Sequence, residues 1–330
     1  MAVKSKVRRI QATLRSGKRL RIPAWELETG RAGPCLLLIA AQHGNEVQGS
    51  EAIRRFVDLA KERLAKGRVI AVPFANLAAL RDRRPHIHMK PEQPYGDDRG
   101  HNMNRTWPGR RSGNDTARVS YAIYRAFGDE ATHLFDLHCW EKNTAPGIII
   151  RDNPALREIA GRLGHRFVHV RPPANTPLSG YFNATGRLGI TFEFSGQYLV
   201  HEDQVRHGLM LIANFAKEIG LLRGRLRKGH DPILFSDACE IVTVTAPCSG
   251  LYVASGDLKL CDPVSKGTKL GHILSDKNLR TQVIPSPVTG YLSVHGGKRP
   301  NCDVSLADQH PYVTRGETLA TIWKVAKKRG

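Results

Sequence analysis

Between residues 35 and 218 short apolar runs alternate with segments of helical spacing, and beyond about residue 230 that alternation stops. This change of period constrains the fold more than any other feature of the chain. The runs Cys35–Ala41, Val69–Phe74, Leu134–Leu137, Ile148–Ile150 and Ile190–Phe194 have the length of buried strands. Residues 49–65 set Ile53, Phe56, Val57, Ala60 and Leu64 on one face of a helix, and residues 119–127, 154–164 and 202–218 read as further helices. Strands alternating with helices predict an α/β fold with a doubly wound, mostly parallel sheet covered on both faces. Ahead of it, Val7–Leu14 and Leu20–Leu27 alternate on either side of Ser16-Gly17-Lys18, which predicts a β-hairpin within residues 1–30. Residues 81–116, rich in Arg, Pro, Gly, Asp, His and Asn, follow neither period. A patternless stretch of that length is usually functional or disordered.

After residue 230 short strands with Gly and Pro turns take over, and the segment echoes itself. Residues 246–253 (Ala-Pro-Cys-Ser-Gly-Leu-Tyr-Val) resemble residues 286–293 (Ser-Pro-Val-Thr-Gly-Tyr-Leu-Ser), and residues 264–270 resemble residues 313–319. Two related halves predict a small two-fold β-sandwich. The division is therefore residues 1–230 for the α/β domain and 231–330 for a C-terminal all-β domain. The latter resembles the barrel-sandwich fold of biotinyl and lipoyl carrier domains. The nearest counterpart of their modified lysine, Lys277, lacks flanking methionines, so a swinging-arm role is not expected.

The chain carries 50 Lys and Arg against 30 Asp and Glu, a formal charge of +20. Such a field attracts anions, either small acidic substrates or nucleic acid. The basic clusters, in residues 1–25 and at Arg223, Arg225, Arg227 and Lys228, interleave no aromatics, which makes nucleic acid an unlikely partner. No apolar run reaches the ~18 residues needed to cross a bilayer, and no apolar h-region follows the start, so no membrane or secretory role is expected. The cysteines, Cys35, Cys139, Cys239, Cys248, Cys261 and Cys302, form no C-x-x-C pair and suit a reducing cytoplasm. The oligomeric state, a homo-oligomer included, stays open.

Three strand candidates end in ionisable residues: one runs into His43 and Glu46, one into Asp136 and His138, and one contains Glu193. In open α/β sheets ligands bind beyond the carboxyl ends of the strands, so these groups converge on one crevice. Two histidines and a carboxylate form a common catalytic zinc set with a fourth position open to water. Both His43-x-x-Glu46 and His138-x-x-Glu141 fit, so spacing alone leaves Glu46 and Glu141 open as the third ligand. Glu46, in a turn just before a helix and able to fold back toward His43, is favoured. Cys139 points to the face opposite His138 and reads as packing. In the patternless stretch, Asn104 and Arg105 could bind a substrate carboxylate, with Arg supplying a bidentate fork. The plain alternative makes the histidines satisfied polar residues at strand ends and Arg105 a solvated loop residue. No Gly-x-Ser-x-Gly elbow, P-loop or Gly-x-Gly-x-x-Gly turn is present.

Four segments together, His43-Gly-Asn-Glu46, Asn102-Met-Asn-Arg-Thr-Trp-Pro-Gly109, Asp136-Leu-His-Cys-Trp140 and Thr191-Phe-Glu-Phe-Ser-Gly-Gln197, resemble the succinylglutamate desuccinylase/aspartoacylase family of zinc carboxypeptidase-like hydrolases. They stand in family order, and the β-rich tail matches too. The version is closest to the bacterial predicted-deacylase branch, which includes N-acetyl-diaminobutyrate deacetylases. Met103 stands where Leu is usual, and Trp107 where Phe is usual. The resemblance implies that His43, Glu46 and His138 bind one zinc ion per chain, which decides against Glu141. It makes Glu193 the general base, Asn104 and Arg105 the clamp on a substrate carboxylate, and Arg99 the candidate second substrate-binding arginine. The implied activity is zinc-dependent hydrolysis of the amide bond of a small anionic N-acyl amino acid. The alternatives are a zinc carboxypeptidase acting on peptides and a basic binding protein with a relic metal site.

Overall fold

The alternation at the start of the chain folds into the expected hairpin, β1 (Lys4–Thr13) and β2 (Arg19–Glu28), in which Ile10 faces Ile22 and Ala12 faces Leu20. The computed structural model describes residues 3–90, 93, 94, 96–236, 239–298 and 310–324; Cys302 lies outside them. The fully apolar run forms β3 (Cys35–Ala40), followed by α1 (Gln48–Arg63), β4 (Arg68–Val72), α2 (Leu77–Asp82) and α3 (Asp115–Ile123). Then come β5 (His133–Trp140), β6 (Gly147–Arg151), α4 (Pro154–Arg162), β7 (Phe167–Arg171), α5 (Leu178–Ala184), β8 (Leu188–Ser195), α6 (Glu202–Glu218) and β9 (Ile233–Phe235).

All nine strands join one sheet in the order β1-β2-β4-β3-β5-β8-β6-β7-β9. Its pairings are antiparallel at β1–β2, β2–β4 and β6–β8 and parallel at the other five. The sheet is thus mostly parallel, and helices cover both faces. On one face α1, α4 and α6 pack Phe56, Leu156 and Phe215 against Phe135, Ile148 and Phe192. On the other α2, α3 and α5 pack Leu77, Ile123 and Phe182 against Ile39 and Ile70. Gly208 lets α6 sit close on β8, because a Cβ there would lie 2.4 Å from Phe194 Cζ. Strand β7 and helix α5 carry no sequence expectation, and the large sheet takes in residues 233–235, just past the change of pattern.

The rest of the chain forms β10 (Ile241–Thr245), β11 (Gly250–Ala254), β12 (Pro263–Val264), β13 (Lys269–Ser275), β14 (Thr281–Pro285), β15 (Gly290–Lys298), β16 (Tyr312–Val313) and β17 (Thr318–Trp323). They make two four-stranded antiparallel sheets, β10-β17-β15-β12 and β14-β13-β11-β16, which share one apolar core around Tyr252, Leu270, Leu292 and Ile322. Strands β11 and β15, which carry the echoing segments, hold the same place in the two sheets. Among the described residues no helix is long and apolar enough to cross a membrane, and Cys35, Cys139, Cys239, Cys248 and Cys261 are free thiols.

Two buried histidines, His165 and His169, and the half-buried His207 lie where the large sheet meets this β region. His165 Nε2 donates to the Pro146 carbonyl (3.0 Å), which leaves its Nδ1 to accept from His207 Nε2 (2.8 Å). Burial pushes His165 and His169 down to about 3 and His207 to about 4. Below pH ~6.5 the unfolded chain protonates these groups first, so the folded state loses stability as pH falls, by about 1.4 kcal/mol per pH unit for each. His138 is raised instead, so below pH ~6.5 it is protonated in both states and adds little, while Glu193, raised above an ordinary carboxylate, offsets part of the loss. Urea unfolding of the metal-free protein should therefore show markedly lower stability at pH 5 than at pH 7; equal stability would contradict the neutral, buried assignment. Phe192→Ala should cost about 3–5 kcal/mol, the usual range for emptying a buried phenylalanine site. A loss below ~1 kcal/mol in the same assay would mean that this face is not tightly packed.

Candidate active site

The site starts from strand register. In the parallel β5–β8 pair His138 lies directly opposite Glu193. Phe135, Leu137 and Cys139 on β5, and Ile190, Phe192 and Phe194 on β8, fill the core on one face. The period of two then sends Asp136, His138, Thr191 and Glu193 to the other. Strand β3 ends beside them, and the chain turns through residues 42–47 into α1, with the Glu46 N–H donating to the His43 carbonyl (3.1 Å). Gly44 is required in that turn: a Cβ would lie 2.3 Å from the Ala79 carbonyl carbon.

The turn brings Glu46 between two imidazoles. His43 Nδ1 lies 2.8 Å from Glu46 Oε1, and His138 Nδ1 lies 2.8 Å from Glu46 Oε2. The Cys139 backbone N–H donates to the same Oε2 (3.1 Å). Ligand atoms of His43, Glu46 and His138 all lie within 4.8 Å of one another, and all three residues are buried. Glu141 stands outside this cluster, where its Oε2 accepts from the Thr144 hydroxyl (3.1 Å). Cys139 packs in the opposite core, as expected.

Burial alone would raise the Glu46 carboxyl, but the facing His43 and His138 outweigh it and hold it well below the usual carboxylate range. Burial would lower His138, and the carboxylates of Asp136 and Glu46 more than reverse that, so it sits well above an ordinary imidazole. Glu193 is raised well above an ordinary carboxylate by desolvation, opposed by His138 and reinforced by Glu46, Asp136 and Glu141. Its side chain is half-buried, so contact with solvent tempers that shift.

The far nitrogens of both histidines face acceptors. Asn102 Oδ1 lies 3.1 Å from His43 Nε2, and Asp136 Oδ2 lies 3.2 Å from His138 Nε2. A proton held on each Nε2 leaves the Nδ1 lone pairs aimed at the Glu46 carboxylate, which is the tautomer a metal ligand needs. Two imidazole lone pairs and a buried carboxylate fit a divalent ion of zinc's type.

The loop over residues 98–117 borders this cluster. Asn104 is buried; its Oδ1 accepts from the Leu178 N–H at the start of α5 (3.1 Å). Arg105 is exposed, with Nη1 donating to the Asn104 carbonyl (3.3 Å). A cavity of about 710 Å³ is lined by Asn102, Arg105, Trp107 and Arg110. Arg99 is exposed, its Nε 3.4 Å from Asp97 Oδ2. A second cavity, of about 510 Å³, is lined by Trp140, Glu141, His169, Arg171 and Trp323. His169 overhangs Gly147, the β6 residue paired with Glu193. The part played by Asn102, Gln42, Trp107 and His169 escaped the sequence reading. Only Asp136 left a signal, the two-residue offset that puts it on the His138 face.

This geometry predicts about one zinc per chain in elemental analysis of the purified protein. His43→Ala and His138→Ala should each lose most of it, whereas Glu141→Ala should keep it. Full zinc content in His138→Ala, or its loss in Glu141→Ala, would contradict the cluster as the site.

Comparison with known proteins gives the family and the fold. The chain is 24% identical over 324 residues to N-alpha-acetyl-L-2,4-diaminobutyric acid deacetylase of Halomonas elongata, covering 94% of this chain and 87% of that protein. Its fold superposes on a succinylglutamate desuccinylase/aspartoacylase from Rhodobacter sphaeroides with a TM-score of 0.73 at 20% identity, over 98% of this chain and 96% of the other. The product-bound ectoine utilization protein EutE (DoeB) from Ruegeria pomeroyi superposes with a TM-score of 0.71 at 18% identity, over 98% and 95%. Residues 32–219, which include every element that delivers a residue to the cluster, match the succinylglutamate desuccinylase/aspartoacylase catalytic domain, and the chain belongs to that family.

Proposed function

We propose that the chain is a zinc-dependent deacylase that hydrolyses the amide bond of a small N-acyl amino acid, releasing a carboxylate and the free amine. The observation that carries this reading is the placement of Glu193 directly across from His138, at the edge of the His43–Glu46–His138 cluster. The deacetylase named above, similar along nearly the whole chain, points to the same class of substrate.

Bound zinc would lower the pKa of a water molecule and polarise the scissile carbonyl. The protein groups do the rest. Glu193, whose proton affinity is raised by its surroundings, takes the proton from the attacking water and hands it to the departing nitrogen. The water oxygen ends in the new carboxylate, and the C–N bond breaks with the amine leaving protonated. Asn104 commits Oδ1 to α5, which leaves its Nδ2 to donate to the substrate carboxylate beside the Arg105 guanidinium. Arg99 would add a second cation by turning away from Asp97. The net charge of +20 draws anionic substrates toward this crevice.

A small substrate is favoured over a peptide because the loop after β5 is tied to the β region. The Ala145 N–H donates to the Ser293 carbonyl (2.7 Å), and the His295 N–H donates to the Asn143 carbonyl (3.0 Å). These bonds hold the β region beside Trp140 and Glu141, where the family resemblance implies a narrowed entrance. We place the reaction in the cytoplasm, in keeping with the free thiols.

A screen of N-acetyl and N-succinyl amino acids, scored by release of free amine, should find hydrolysis that depends on added zinc. Turnover of peptides alone would favour the carboxypeptidase reading. Glu193→Gln keeps the size and removes the basicity; it should retain zinc and lose at least ~100-fold in kcat. Near-normal turnover at saturating substrate is incompatible with its role. Arg105→Lys should lose about ten- to hundred-fold in kcat/KM on an N-acyl amino acid and little on the corresponding amide, since ammonium cannot replace the bidentate fork. Equal losses on both would reduce Arg105 to a support of the loop.

A further inference from the structure

We propose that Trp107 is a positioning residue for His138, acting at a distance through Gln42 and Asp136. The inference rests on the metal reading of the cluster. The Trp107 indole Nε1 donates to Gln42 Oε1 at 2.7 Å. Gln42 Nε2 donates to Asp136 Oδ1 at 2.8 Å. Asp136 Oδ2 then lies 3.2 Å from His138 Nε2. Gln42, Asp136 and His138 are 0 to 1% exposed and Trp107 is 6% exposed, so water does not compete for these groups.

The direction of the chain follows from donor and acceptor types. An indole N–H can only donate, so the Gln42 amide must turn its oxygen to Trp107 and its NH₂ to Asp136. The reversed amide would set NH₂ against N–H at one end and a carbonyl oxygen against a carboxylate at the other. With the amide fixed, Asp136 Oδ1 is engaged. Oδ2, which makes no hydrogen bond among the described residues, is left facing His138 Nε2. Charge attraction at 3.2 Å, rather than a hydrogen bond, lets that buried carboxylate favour a proton on Nε2 and turn the Nδ1 lone pair toward Glu46. In the same orientation Gln42 Nε2 lies 3.3 Å from His138 Nε2, so the amide bears on the ring directly as well as through Asp136.

Trp107 also belongs to the loop that carries Asn104 and Arg105, and Asn102 of the same loop faces His43 Nε2. One loop therefore orients both histidine ligands from behind and supplies the proposed substrate clamp in front. Metal affinity and loop order are coupled through it.

The test measures Zn²⁺ affinity of the full chain by competition with a fluorescent chelator. Trp107→Phe keeps an aromatic ring and removes the donor. Its affinity should fall about 10- to 100-fold, the usual loss on removing an outer-shell partner, while the thermal midpoint of the metal-free protein stays near that of the wild type. Gln42→Met breaks the chain at its centre and should show a similar fall. The double variant should lose no more than Gln42→Met alone, because Trp107 acts only through Gln42. Wild-type affinity in Trp107→Phe, or losses that multiply in the double variant, would overturn the proposal. If Trp107→Phe fails to fold, Gln42→Met decides: unchanged affinity there overturns it equally. A wild-type protein that takes up no Zn²⁺ would overturn the metal reading and this inference with it, whereas tight wild-type binding that both variants share would overturn this inference alone.

Discussion

The Glu46 carboxylate, 3% exposed and held between two imidazole nitrogens, is the interaction on which the rest of the site depends. An ionised carboxylate taken out of water is costly unless paired and hydrogen-bonded. Here the Cys139 N–H donates to it, and a divalent ion held with the Nδ1 lone pairs of His43 and His138 would supply the pairing charge. His43 and Glu46 come from one turn and His138 and Cys139 from one strand, so the arrangement exists only if β3 and β5 lie side by side in parallel register and Gly44 lets the chain bend sharply after β3. Apolar packing on both faces of the sheet enforces that register, since a slip by one residue would turn His138 into the apolar core and Leu137 toward the site. Core packing and metal chemistry are therefore linked through the alternation of β5.

The same alternation explains why Glu193 and the His43–Glu46–His138 cluster sit together. His138 and Glu193 are neighbours across a parallel strand pair, a fixed relation that side-chain motion cannot undo. Around them, hydrogen bonds restrict what can still move: Asn102 holds the back of His43, and Trp107, Gln42 and Asp136 hold the back of His138. The irregular segment over residues 98–117 thereby has a physical task. It carries few elements of its own because its side chains serve as partners for the sheet end.

Much of this was legible in the sequence, for reasons that particular residues show. Cys35–Ala40 announces itself because a strand buried on both faces is continuously apolar, and Ile190–Phe194 because Ile190, Phe192 and Phe194 recur at a period of two. His43, Glu46, His138 and Glu193 could be singled out because strand ends are where such sheets bind ligands. The choice between Glu46 and Glu141 was not settled by spacing, since both fit the same motif; the fold groups Glu46, rather than Glu141, with the two histidines. Strand β7 was missed because Phe-Val-His-Val-Arg mixes apolar with titratable residues, and β9 because three residues give no measurable period. The Trp107–Gln42–Asp136 chain joins three segments distant in sequence, and Trp107 read only as a departure from a usual Phe. Arg99, singled out beside Arg105, sits on the surface with Asp97, a pairing that loop conformation rather than sequence determines.

The central claim is that one ion is held by the Nδ1 atoms of His43 and His138 together with Glu46. Anomalous diffraction from zinc-loaded crystals, collected on both sides of the zinc absorption edge, tests it most directly. The account predicts a single strong peak about 2.0–2.2 Å from both Nδ1 atoms and a Glu46 oxygen, with Asn102 and Asp136 still behind the rings. A peak on the Nε2 side of either histidine, or one that draws in Glu141 in place of Glu46, would contradict it.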